Sequence, residues 1–432
     1  MKTLKQVITY LIYFFIILIP LQTRWIYKSA TIKSEYFEYA SLSLYGTEIL
    51  LGLIALLSII YFLISVDWSK MKENNKNRYK RFGVFAVFLA FFIINILLAA
   101  NQEVAWQKFS WLISALAFVG ILLLIRPKVI NLGIAFTISA LAQSYFAINQ
   151  FMEQKVIANK WLGMAAHNPE TLGTPVIETA NGRWLRTFGT LSGPNVLAPF
   201  LVITLFLIIY LYPKARTKRE NRFFLLSFVI IAIAAMTTLS KAAILALILF
   251  SIIYGFFVRK DKVKTEKTTK LSLILLFVIV IFTVSYPSLI VTRLTGTSRL
   301  EQQSYEERID QYSEFKQVVK NNWFWGAGLG NYAIELQKVK PNQEAWTYQP
   351  IHNAWLVMLA EIGLVGTLCL IASLVWAYTK KFKTNAINLI LLASLSFMAL
   401  FYHFWWSLWF GLIFIAFIIG FSILNHFENK KS

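Results

Sequence analysis

Apolar residues in this chain come in long runs separated by short polar, mostly basic connections, and most runs are about as long as a bilayer-crossing helix needs. The pattern predicts spans at roughly 7–22, 47–66, 83–100, 109–125, 129–149, 190–212, 223–239, 242–258, 271–290, 353–377, 387–403 and 405–424, about 12 in all. A helix satisfies its own backbone, so such runs suit the hydrocarbon layer, and nothing is left over for a soluble domain. The expected fold is an all-α integral membrane protein, a single polytopic domain over residues 1–432. The first run is followed by "QTRWIYK" rather than by a small-residue cleavage site, which predicts a retained signal anchor.

Composition supports this: 57% of residues are hydrophobic and only 15% are charged, against about 25% in soluble domains. The net charge of +21 would suit a nucleic-acid partner, but its location argues otherwise. With the N-terminus inside, the even-numbered connections, such as "KARTKRENR" and "RKDKVKTEKTTK", and the two termini hold 26 of the 42 Lys and Arg. That is the positive-inside rule, so both termini are expected in the cytoplasm and no nucleic acid is expected as a partner. The single cysteine, Cys369, lies within a span and excludes an internal disulfide and a cysteine metal site.

This topology puts two long polar stretches outside the cell membrane, 150–189 and a large late loop at 291–352, and chemistry belongs on such loops. Only one of three aspartates, Asp310, falls outside, so the paired carboxylates that usually hold a metal and a diphosphate are missing. A phosphorylated substrate would be met instead by Arg, Lys or backbone amides. In "NGRWLRTFGTLSGPN", Arg183 and Arg186 are three apart, which on a helical turn projects both to one side. They suit either the diphosphate of a lipid-linked donor or ordinary lipid phosphates. Pro194 belongs at the start of a span.

In the late loop, "SYEERIDQYSEFKQVVKNNW" predicts an amphipathic helix capped by Ser304 with Glu307 at the third position. Its apolar stripe is Tyr305, Ile309, Tyr312, Phe315 and Val319, and Arg308 lies inside that stripe, carried inward if the stripe packs on the membrane domain. "GAGLGN" lacks phosphate-loop spacing and predicts a turn. Lys241, in "TTLSKAA", sits near the outer surface, placed for a phosphate or a lipid headgroup. In "YQPIHNAWLVMLAEIGLVG", His352 is a candidate general base or an interfacial helix cap. Glu361 lies nine residues further, about half a turn round a straight helix, so the two do not form a dyad.

Taken in order, "RWLRTFGTLSGPNVLAPFL", "TLSKAA", "EERIDQYSEFKQVVKNNWFWGAGLGNY" and "HNAWLVMLAEIGLVG" resemble the O-antigen ligase and O-antigen polymerase superfamily of bacterial membrane glycosyltransferases. The resemblance implies a glycan donor on undecaprenyl diphosphate, a glycan or lipid-linked acceptor, and transfer with inversion that needs no metal or cofactor. It implies a multi-pass protein of the bacterial inner membrane, surrounded by its lipids, with the active site outside. By that likeness Arg183 and Arg186 hold the donor diphosphate, Arg308 is the catalytic arginine of the outer loop, and His352 activates the acceptor hydroxyl. Arg293, Lys241 and Asn353 join the substrate-binding candidates. The family commonly has Ser-Arg where this chain has Ser240-Lys241, which keeps the charge and loses the bidentate grip. Ligase and polymerase differ in acceptor and stay open. A lipid-linked oligosaccharide flippase is the alternative; it predicts two similar halves and broken helices at the midplane.

Overall fold

The computed structural model describes residues 1–66, 75–180, 182–377 and 386–430. The first six residues of the basic connection "SKMKENNKNRYKR", and the whole of "KKFK", lie outside them. Each of the twelve apolar runs falls on a helix. In chain order these are α1 (Lys2–Leu18), α2 (Gly46–Ser65), α3 (Asn75–Leu98), α4 (Gln102–Ile125), α5 (Val129–Glu153) and α6 (Pro194–Leu211). Then come α7 (Lys218–Thr237), α8 (Lys241–Val258) and α9 (Lys262–Ser285). The outer arm supplies α10 (Pro287–Thr295), α11 (Arg299–Asn322) and α12 (Tyr332–Val339). The chain closes with α13 (Ala354–Ala377), α14 (Ala386–Ala399), the short α15 (Phe404–Ser407) and α16 (Trp409–Asn429). Among the described residues nine helices are long and apolar enough to cross a membrane, with shorter apolar stretches at Ala86–Leu98 and Ala386–Ala399. The protein is thus a helical membrane protein, to which, among the described residues, three two-stranded antiparallel pairs are added.

Helix α6 is the centre of the bundle. Pro194 opens it at the first position, where the missing N–H costs nothing, and every residue of it except Asn195 is buried. Helices α5, α7, α8 and α14 pack around it. A polar residue is therefore singled out at one end of an otherwise apolar rod.

The three long connections interlock at that end. The first holds β1 (Arg24–Lys28) paired with β4 (Leu42–Tyr45), and between them β2 (Thr31–Ile32) with β3 (Glu35–Tyr36). The second holds β5 (Val176–Thr179) paired with β6 (Gly182–Leu185). Thr23 donates to the carbonyl of Trp161, Lys33 to the carbonyl of Asn342 at 2.7 Å, and Arg299 to Glu178 at 2.9 Å. A second core of Phe37, Val318, Tyr332, Leu336, Tyr348 and Val357 seals the first hairpin against the outer arm and the start of α13.

The "GAGLGN" turn is formed, and it does more than reverse the chain. Helix α13 is broken at Gly363, whose φ of 65° no side chain adopts easily. The loop fills the break: the Ala327 and Gly328 amides donate to the carbonyls of Ala360 and Glu361 at 2.8 and 3.0 Å, and the Leu364 amide donates to Trp323 at 2.8 Å. Asn95 of α3 completes the junction, donating to the carbonyls of Trp325 and Glu361. A Cβ on Gly326 would lie 2.2 Å from the Glu361 carbonyl oxygen, so only glycine permits this approach. Glu361 accepts from the Trp406 indole at 2.7 Å, whereas the ring of His352 meets Gln311, so the two are engaged by different partners.

Three local expectations are corrected. Ser304 lies inside α11, which starts at Arg299 after Ser298, because the helix extends a turn and a half further than its capping signal suggested. The face of α11 is also turned: Tyr305, Ile309 and Tyr312 are 68%, 55% and 49% exposed, while Gln311 and Val318 are buried. Rotation by roughly a quarter turn from the apolar stripe follows from Gln311, whose hydrogen bonds to the His352 segment draw that side inward. Finally, Arg183 lies on β6 and Arg186 just after it, not on a helical turn, so they do not point the same way.

Candidate active site

At the junction of the three connections lies a cavity of about 340 Å³, at the lower end of small-molecule sites. Its lining includes Arg24, Glu38 and Tyr39 from the first connection, Ser192 and Asn195 from the start of α6, His352 ahead of α13, and Tyr402 and His403 between α14 and α15.

His352 is held by Gln311. The Gln311 carbonyl oxygen accepts the backbone N–H of His352 at 3.1 Å and lies 2.9 Å from Nδ1. A backbone N–H only donates, so that oxygen is oriented as an acceptor, and Nδ1 must carry the proton it shares with it. Nε2 then keeps its lone pair. Burial, with the nearby charge of Arg308 adding to it, pushes the imidazole down to about 4, so it is neutral at physiological pH. His403 stacks edge-on against it, ring centres 5.5 Å apart, and its Nδ1 lies 2.6 Å from the Ser407 hydroxyl. Asn353, next to His352, is used as a cap: its side chain accepts the Leu356 amide at 3.1 Å.

Cations collect beside this pair, and the turn between α7 and α8 gathers them. A helix C-terminus leaves carbonyls unsatisfied at the negative end of its dipole. Here Arg186 donates through Nε to the Thr238 carbonyl and Arg293 through Nε to the Leu239 carbonyl, each at 3.0 Å. Ser240 follows with its hydroxyl 2.5 Å from that of Tyr402. Arg186 is only 8% exposed and passes its other arm to Asn195 at 2.8 Å, which brings its charge to the cavity wall. Burial and then the charges of Arg293 and Arg308 push its guanidinium down to about 9, still protonated near neutrality. Glu301 is the carboxylate of this group, and it is shared between Arg293 and Lys241. Arg186 feels Glu301 only at longer range, and neither Arg186 nor Arg308 makes an ion pair among the described residues, an arrangement that an anion would relieve.

The remaining sequence candidates are placed differently. Arg183 faces Glu178 across the β5–β6 pair at 3.7 Å, and no contact brings it to the cavity. Lys241 is half-exposed and engaged by Glu301 at 2.9 Å. Gln311, Asn195, Tyr402, His403 and the Arg24–Glu38 pair were not singled out as site residues by the sequence. Gln311 alone carried a signal, being three residues after Arg308 and so on the same side of one helix. Among the described residues no three His, Cys, Asp or Glu come together in a way that could hold a metal ion.

Residues 226–371 match a family model described as O-Antigen ligase. The matched segment contains Lys241, Arg293, Arg308, Gln311, His352 and the glycine loop, and leaves out Arg186, Asn195, Tyr402, His403 and the first hairpin. No curated protein matches the chain.

Proposed function

Taking as its premise that residues 226–371 carry an O-antigen ligase domain in a helical membrane protein, we propose that the chain transfers a glycan from undecaprenyl diphosphate to a sugar hydroxyl on the outer side of the bacterial inner membrane. The observation that carries this is a neutral His352, its Nδ1 proton fixed by Gln311, beside Arg186 and Arg308, which make no ion pair among the described residues.

In this mechanism the acceptor hydroxyl gives its proton to His352 Nε2 as its oxygen bonds to the anomeric carbon. The bond from that carbon to the diphosphate breaks on the opposite face, and its electron pair leaves with the diphosphate. The anomeric centre is inverted. Negative charge grows on the leaving group, and Arg186 and Arg308 meet it without a metal ion. Arg293 contributes less, because Glu301 already balances it. A neutral base suits the step, since an imidazolium could not take the proton.

The break in α13 at Gly363 is also a feature of transporters, but here a protein loop fills it rather than a substrate path. The test is transfer in proteoliposomes supplied with undecaprenyl-diphosphate-linked glycan. His352→Ala is expected to lower the rate by about 10²- to 10⁴-fold and Arg308→Ala by about 10²- to 10³-fold, with both proteins still folded. Near-normal turnover in both, or movement of the lipid-linked glycan across the bilayer with no new glycosidic bond, would overturn the assignment.

A further inference from the structure

The Arg24–Glu38 pair on the first hairpin has no part in that mechanism, yet it lines the same cavity. Its two arms meet at 2.6 and 2.7 Å, the side chains are 24% and 38% exposed, and the guanidinium lies over the Tyr45 ring at 6.0 Å. The pair is neither buried as a structural bridge nor free in solvent. We infer that the Arg24–Glu38 pair, with Tyr39, is the binding subsite for the acceptor sugar, deepening the glycosyl-transfer reading on which it rests.

Charge separates the two halves of the site. Arg186 and Arg308 make no ion pair among the described residues and suit a diphosphate, whereas Arg24 and Glu38 cancel each other and suit a neutral ligand. A planar guanidinium–carboxylate pair keeps spare N–H donors and oxygen lone pairs side by side, which matches adjacent sugar hydroxyls that both give and accept hydrogen bonds. Such a pair distinguishes a hydroxyl-rich ligand from an apolar lipid chain by the cost of leaving its charges unsatisfied.

The geometry ties this subsite to the base. Tyr39 meets His403 edge-on at 6.3 Å, and His403 meets His352 edge-on at 5.5 Å, so three rings run from the ion pair to the His352 imidazole. The hairpin is also clamped to the segment that leads into His352: Phe37 packs on Tyr348 at 6.2 Å, and the Ala345 amide donates to Glu35 at 3.2 Å. A sugar gripped by the pair is thereby held at a fixed offset from the group that takes its proton, which is the positioning a bimolecular transfer needs. None of these hairpin residues lies within 226–371.

The test uses the full chain in proteoliposomes, with undecaprenyl-diphosphate-linked glycan from the cells that carry this protein. In one arm that lipid is alone, so a second copy is the acceptor; in the other, water-soluble envelope polysaccharide from the same cells is added. Inhibition by undecaprenyl diphosphate reads the donor side in both. Glu38→Gln is expected to raise the half-saturating acceptor concentration about tenfold in whichever arm transfers, with inhibition by undecaprenyl diphosphate changed less than about twofold. Tyr39→Phe, which removes one hydroxyl and no charge, is expected to raise it about threefold and carries the test if Glu38→Gln fails to fold. Unchanged acceptor saturation in the folded variants overturns the inference, and so does inhibition that weakens in step with acceptor saturation. If the unaltered protein transfers in neither arm, the glycosyl-transfer reading itself has failed.

Discussion

Replacing Gln311 by glutamate isolates the control of His352, because the acceptor oxygen stays and only a charge is added. In the native site that oxygen sits 2.9 Å from Nδ1, and the imidazole is held down at about 4. With charge centres about 4 Å apart and an effective dielectric near 20, the new attraction for an imidazolium is about 4 kcal/mol. At about 1.36 kcal/mol per pH unit that is up to about three units, less whatever the buried carboxylate loses to desolvation and to Arg308. The sign follows directly: a negative neighbour favours the protonated ring, so the base is lost at higher pH than before. The acid limb of kcat/KM for glycan transfer should therefore rise from about 4 to between about 5 and 7. Above that limb the rate should stay near that of the native protein, since the carboxylate still accepts Nδ1–H. Transfer measured in proteoliposomes from pH 4 to 8 decides it. Coincident profiles, a shift to lower pH, or a native limb near the ordinary histidine value of about 6.5 would refute both the hydrogen-bond assignment and the role of His352.

Two further outcomes follow from packing and from charge placement. Gly326→Ala puts a Cβ 2.2 Å from the Glu361 carbonyl oxygen at a φ of 84°, so it should lower stability by about 2–4 kcal/mol, read as a lower melting temperature in detergent. Lys241→Ala and Arg183→Ala remove cations already engaged by Glu301 and Glu178, and should leave the concentration of undecaprenyl diphosphate needed for half-inhibition within about threefold of native, whereas Arg186→Ala should raise it at least tenfold.

The bundle was legible because hydrophobic runs in lipid have few alternatives: all twelve runs fall on helices, and Pro194 begins one as its chemistry requires. The glycine turn was legible too, but not its partner, since nothing in "GAGLGN" names the break at Gly363 that it fills. Arg183 and Arg186 illustrate the limit. Their spacing means one thing on a helix and the reverse on a strand, and the hairpin that decides it depends on β5, which pairs through backbone groups. Gln311 shows a second limit. A glutamine reads as solvent-facing on any helix, and only the unpaired groups of a distant histidine segment give it a reason to turn inward. Likewise Tyr402 and His403 follow a span by a few residues and look like its end, until the turn at 238–240 supplies the hydroxyl that Tyr402 meets.

The cavity takes lining residues from Gln22 through Leu408, and this has a consequence for how the protein is made. No growing chain contains the whole site until α14 has been threaded into the membrane and the turn after it, with Tyr402 and His403, has emerged. The arginines and His352 are delivered earlier, and Trp406, the partner of Glu361, arrives with that same last turn. A chain cut before Tyr402 would carry the arginines and His352 without a complete cavity, so under the glycosyl-transfer proposal the wall supplied by Tyr402 and His403 is the last part of the site to form.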